Sequence, residues 1–184
     1  RQWQGAGTLS MGRTAIPCRF DADTIWLGFP AMAVQPCPVP TWANELLGTA
    51  PNGCALAGGD SGYLVLEMAP GTALESLPRP GDALAQHTTR ALVITCRASG
   101  DAARARENIR LRYFAPQYGV AEDAATGSAM RVLAPYWQQA GLGPTLTALQ
   151  SSAQGGLLHS RVAEGTTWIG GRVDMDGTTE PADA

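Results

Sequence analysis

Two adjacent carboxylates followed by Thr-Gly-Ser are the residues of this sequence best placed to do chemistry. They stand in the segment Glu122-Asp123-Ala124-Ala125-Thr126-Gly127-Ser128-Ala129. The apolar run that follows predicts a helix over 126–140, stopped by Gly141-Leu142-Gly143-Pro144. The first N–H groups of a helix lack intrahelical partners and carry the positive end of its dipole, so this start can receive an anion such as a substrate carboxylate. Gly127 lets a ligand approach the backbone closely, and Ser128 adds a hydroxyl donor. The simpler role for such residues is more common: Asp123 or Thr126 caps the helix, and Glu122 complements its dipole.

The helix itself carries Ala129, Met130, Val132, Leu133, Ala134, Tyr136 and Trp137 around nearly its whole circumference. A helix apolar on all sides is buried on all sides. Pro135 removes one of its backbone hydrogen bonds and should bend it. The rest of the chain, punctuated by 22 Gly and 13 Pro, reads as short strands. Strands are expected at 24–29, 62–68, 91–96, 109–114, 145–150, 156–162 and 167–174. In the second of these, Tyr63 and Val65 take one face, and Leu64 and Leu66 the other. A short helix over 41–47 starts at Thr41 as N-cap, with Glu45 favouring its first turn and Gly48 ending it; another is expected at 81–86. The proline-rich stretch 35–40 predicts an extended connector between two units. Together these features predict an α+β protein in which a curled sheet wraps one central helix.

Composition removes several function classes. The 184 residues carry a net charge of -3, and all 13 basic residues are Arg. Without lysine, Schiff-base, pyridoxal-phosphate and P-loop chemistry are impossible within the chain. An acidic balance does not suit a nucleic-acid binder. Arg104, Arg106, Arg110 and Arg112 read as a solvated face. Cys18, Cys37, Cys54 and Cys96 are too far apart in sequence for a CxxC motif, and Cys96 reads as a small core residue. No membrane span is expected, and a reducing cytoplasm is the expected compartment. His87 and His159 lack a catalytic setting and read as surface or structural residues.

Three stretches carry a family resemblance. Arg112-Tyr-Phe-Ala-Pro116, Gly119-Val120, Glu122-Asp-Ala-Ala-Thr-Gly-Ser-Ala129 and Leu133-Ala-Pro-Tyr-Trp137 together resemble the signature of the PhzF-like family, the phenazine-biosynthesis isomerases related to diaminopimelate epimerase. Gln150-Ser-Ser-Ala-Gln-Gly-Gly156 resembles the family's Gln-x-Ser-x-Arg-Gly-Gly turn, and Trp168-Ile-Gly-Gly-Arg-Val-Asp-Met-Asp-Gly177 resembles its closing strand. Residues 5–10 and 26–30 look like strands that end the family's first lobe.

The resemblance implies a diaminopimelate epimerase-like fold: two lobes, each a curled, strand-rich barrel around a central helix, with the site in the cleft between them. It implies proton transfer on a small carboxylate-bearing substrate with no metal and no organic cofactor. Asp123 would serve the proton or position the substrate. Thr126, Gly127 and Ser128 would hold the carboxylate, with Gly155 and Gly156 lining the same cleft. Two positions depart from the pattern: Ala124 replaces a proline and Gln154 an arginine. The family's general acid/base glutamate and its Gly-His-Ala-Thr segment have no counterpart here. The expectation is therefore an incomplete chain, inactive alone, in which Arg1 is internal to a longer parent. Residues 1–33 would be remnant strands of the first lobe, 34–165 the second lobe, and 166–184 a closing strand and frayed tail. A homodimer is compatible with the resemblance. The alternative is a non-catalytic carboxylate-binding or structural protein.

Overall fold

The computed structural model describes residues 5–21, 23–99 and 106–172. Expectations for the tail beyond 172, including the end of the closing strand, and for Arg104 lie outside these residues. The elements in order are β1 (Gly5–Met11), β2 (Thr14–Asp21), β3 (Thr24–Pro30), β4 (Val34–Pro36), α1 (Thr41–Leu47), β5 (Gly53–Ala57) and β6 (Tyr63–Glu67). They continue with β7 (Ala91–Arg97), β8 (Ile109–Phe114), α2 (Gly127–Gln139), β9 (Thr145–Gln150), β10 (Gly156–Ala163) and β11 (Thr166–Arg172). Short 3-10 turns occupy Leu74–Ser76, Gly81–Gln86 and Pro116–Tyr118, so the helix expected at 81–86 is the tighter kind.

All eleven strands join one sheet in the order β1-β2-β3-β11-β10-β9-β8-β7-β6-β5-β4. This corrects the expected barrel: the sheet is open, with β1 and β4 as its edges. It nevertheless surrounds α2. Val34 of β4 and Ile169 of β11, seven strand positions apart, share one buried cluster with Ala129, Met130, Val132, Leu133, Ala134 and Trp137 of the helix. The all-round apolar surface of α2 is satisfied because strands from both ends of that run reach it.

The strands beside the helix are buried on both faces. Val65 and Val93 face α2, while Leu64, Leu66, Leu92 and Ile94 face a second cluster with Ala43 and Leu47 of α1. The expected division of faces in β6 is therefore the observed one. Double burial explains why β6 and β7 are nearly unbroken apolar runs rather than alternating ones. The second face is closed by the turns at Leu74–Ser76 and Gly81–Gln86, which contribute Leu74 and Leu84.

Two details of α1 differ from expectation. Pro40, not Thr41, is the N-cap of α1, and no acidic residue lies in its first turn; Gly48 does end it in the left-handed conformation, φ 69°. Pro135 lies inside α2, where its missing N–H removes one rung of the ladder. The C-terminal end of α2 is held from outside: Arg97 lies over the Trp137 ring and donates Nη2–H to the Ala140 carbonyl at 2.5 Å. Trp137 donates Nε1–H to Thr95 Oγ1 at 3.1 Å. Among the described residues, no helix is long and apolar enough to cross a membrane.

Candidate functional site

Topology explains where the site forms. β8 and β9 are parallel, and α2 is the crossover between them. A crossover helix begins beyond the carboxyl end of the first strand, and in a parallel pair the second strand ends at that same side. The N-terminus of α2 therefore meets the last residue of β9, Gln150, and the turn into β10 that holds Gly155 and Gly156.

Gln150 is fully buried and ties these parts together. Its Oε1 accepts the Thr126 N–H at 2.6 Å. Its Nε2 donates to the Asp123 carbonyl at 2.6 Å and to Thr126 Oγ1 at 3.1 Å. Asp123 is held further by its own N–H, which donates to the Tyr113 carbonyl at 3.1 Å. From the other side, Ser152 donates Oγ–H to the Ala124 carbonyl at 2.6 Å and accepts the Gly155 N–H at 3.0 Å. Gly155 has φ +72°, and a Cβ on Gly156 would lie 2.9 Å from the Ala125 Cβ. The first glycine makes the turn and the second lets it press against the 123–128 loop.

The side chain of Asp123 does not cap α2. Thr126 is the N-cap of α2, yet no side chain caps the helix. The Thr126 hydroxyl instead donates to Asp123 Oδ2 at 2.7 Å, and Thr126 is buried. Asp123 and Gly127 are half-buried and Ser128 is exposed, so the uncapped first turn opens outward beside the carboxylate. Tyr113 lies close enough to feel the Asp123 charge. Burial, followed by Tyr63, Asp123 and Tyr118, pushes its phenol above the usual range and keeps it protonated.

Glu122 has a different task from the dipole role expected of it. Its two carboxylate oxygens accept Arg112 Nε–H at 2.7 Å and Nη2–H at 3.1 Å, with Arg79 Nε 2.8 Å from Oε2. Arg112 is only 3% exposed. Its Nη1 donates to the carbonyls of Leu74 at 2.9 Å and Leu77 at 2.7 Å, and it lies over the Phe114 ring. This corrects the reading of Arg112 as part of a solvated face. Arg110 is also committed, to Glu107 at 3.1 Å. The Arg112–Glu122 pair fixes the loop immediately before Asp123 to β8.

The sequence-predicted residues Asp123, Thr126, Gly127, Ser128, Gly155 and Gly156 thus gather at one end of α2. Sequence reasoning missed Gln150 and Ser152 as their organisers, although both stand in the Gln-x-Ser motif. A glutamine ending an apolar strand was the available signal, since a buried amide must find partners. His159 shares a hydrogen bond with Thr147 Oγ1 at 3.2 Å and His87 stacks on Trp42, both structural roles. Among the described residues, no three His, Cys, Asp or Glu side chains gather as metal ligands would. A separate open hollow of about 450 Å3, bounded by Arg19, Trp26, Arg161 and Trp168, shares no residue with this cluster.

The family model of the phenazine biosynthesis-like proteins, PhzC-PhzF, matches residues 41–179. The chain belongs to this family. It is 35% identical over 167 residues to an uncharacterized isomerase of Pseudomonas aeruginosa, covering 89% of this chain and 60% of the relative. It is 33% identical over 146 residues to an uncharacterized isomerase of Vibrio cholerae, covering 79% and 48%. A PhzF-family crystal structure from Enterococcus faecalis superposes with a TM-score of 0.75 at 26% identity, over 91% of this chain and 61% of that one. A predicted epimerase of Pseudomonas aeruginosa shares the fold with a TM-score of 0.61 at 17% identity, over 91% and 63%. The chain spans less than two thirds of the length of each of these proteins.

Proposed function

We propose that this chain is part of an isomerase or epimerase that moves a proton on a small carboxylate-bearing substrate. The observation that carries this reading is the cluster of Asp123, Thr126, Gly127 and Ser128 at an uncapped helix N-terminus, clamped by Gln150 against the Gly155-Gly156 turn. The substrate carboxylate accepts hydrogen bonds from the first N–H groups of α2 and from the Ser128 hydroxyl, where the helix dipole favours negative charge. Asp123, steadied by the Thr126 hydroxyl, takes or returns the migrating proton.

In a two-base proton transfer, a second group faces Asp123 across the substrate. Glu122 is not available for it, because both its oxygens are held by Arg112 and Arg79. The relatives are longer than the matched part. The reading assigns the opposing acid/base group to that extra length, in a first lobe to which β1–β3 belong. The 184 residues alone then bind a carboxylate with little turnover. Chemistry of this kind needs no metal or organic cofactor, suits a cytoplasmic protein and is compatible with a homodimer. The same locked Glu122 favours one other reading, a protein that binds carboxylates without catalysis.

Proton exchange separates the two. In D2O, the intact protein should exchange the α-proton of small amino- or hydroxy-carboxylates, followed by NMR. Asp123→Asn should slow the exchange by roughly 10²-fold or more. Exchange unchanged by Asp123→Asn removes Asp123 from the mechanism. Binding without any exchange supports the non-catalytic reading.

A further inference from the structure

Cys37 and Cys54 face each other across the edge of the sheet. Pro36 pairs with Ala55 in the antiparallel β4–β5 ladder, so one step further along brings Cys37 opposite Cys54. The Cys37 N–H donates to the Cys54 carbonyl at 2.9 Å, which continues the ladder. Opposed residues of such a hydrogen-bonded antiparallel pair have Cα atoms about 5.5 Å apart. That span lies within the roughly 4.4–6.8 Å of disulfide-bonded cysteines. Both are free thiols.

Their surroundings give them separate tasks. β4 is an edge strand, and Cys37 is half-buried, so a small reagent can reach it from the open side. Cys54 is buried behind it. Burial, with Cys37 as neighbour, holds the Cys54 thiol well above the usual range, so it reacts second. The remaining cysteines are engaged elsewhere: Cys18 with the Ile16 carbonyl at 3.4 Å and Cys96 with the Thr72 carbonyl at 3.6 Å, both buried.

We infer that Cys37 and Cys54 form a reversible cross-strand disulfide, made by thiol–disulfide exchange with a low-molecular-weight disulfide. The Cys37 thiolate attacks one sulfur of the oxidant, forms a mixed disulfide and releases one small thiol. Cys54 then loses its proton and attacks Cys37 Sγ, closing the Cys37–Cys54 bond and releasing the second small thiol. Two protein thiols are oxidised and one small disulfide is reduced to two thiols. The bond closes a loop that contains α1 and fastens the three-residue β4 to β5. Nothing in it depends on the carboxylate site.

The test is oxidation of the folded protein with glutathione disulfide, followed by alkylation in denaturant, intact mass and peptide mapping. The expected product is lighter by two hydrogens, keeps Cys18 and Cys96 open to alkylation, and yields a linked Cys37–Cys54 peptide that dithiothreitol separates. Cys54→Ala should instead retain a single glutathione adduct on Cys37, and Cys37→Ser should stay unlinked. Full alkylation of all four cysteines after oxidation would overturn the inference. So would a bond that joins Cys18, Cys96 or two molecules.

Discussion

The part of the sheet around α2 and the β1–β2 hairpin share one ladder but differ in what covers them. Val65, Leu66, Leu92, Val93 and Ile94 are fully buried, packed between α2 on one face and α1 with the 3-10 turns on the other. All seven residues of β1 are exposed, although each pairs with β2 from Gly5↔Phe20 to Met11↔Thr14. Leu9 is 47% and Met11 63% exposed. Backbone pairing therefore does not confer burial, and side-chain packing is the larger stabilising force. The candidate site stands at the packed end, where a proton-transfer group can be held within a fraction of an ångström.

Mutations should expose this contrast. The largest effect is expected from Trp137→Ala, which empties the centre of the α2 cluster and removes one of the two hydrogen-bond partners of the Thr95 hydroxyl. Urea unfolding should register a loss of about 3–5 kcal/mol. Arg112→Met should follow at about 3 kcal/mol, because it strands buried carbonyls of the 74–77 turn and leaves Glu122 with Arg79 alone. Gln150→Leu should cost about 1–3 kcal/mol by leaving the Thr126 N–H and Asp123 carbonyl without their partner. Its hydrogen exchange should quicken first at 123–128, which would tie the site to the packed region. Leu9→Ala on β1 should change stability by no more than about 0.5 kcal/mol. A Leu9→Ala loss comparable with that of Trp137→Ala would erase the distinction between the two regions.

Much of the packed region was legible because its signals are local. The apolar runs of β6 and β7 and the Gly-rich stop after α2 encode their own elements, and β9 falls where the sequence puts it, at Thr145–Gln150. The strands Thr14–Asp21, Val34–Pro36 and Gly53–Ala57 were not expected. β4 has three residues, one of them Pro36, with Pro38 and Pro40 following, and β5 is built largely on small residues, so neither shows a period. The Glu-Asp-x-x-Thr-Gly-Ser and Gly-Gly segments of the candidate cluster could be picked out from the sequence, and the fold brings them together. The internal wiring of the cluster was not legible. Arg112 alternates with Leu111 and Tyr113 as a solvated strand residue would. What buries it comes from Leu74 and Leu77, 38 and 35 residues away in sequence. The cap reading failed for a similar reason: the Thr126 hydroxyl turns back to Asp123, and Gln150, 24 residues on, takes the Thr126 N–H.

The most direct measurement is an NMR titration of the protein's amide groups with a small amino- or hydroxy-carboxylate, with chloride as control. The account predicts saturable shifts concentrated at Gly127, Ser128, Gly155 and Gly156, reduced when Ser128 is changed to Ala, while β1 amides stay unmoved. Saturable shifts that avoid the start of α2, or amides there that respond no more to carboxylate than to chloride, would contradict it.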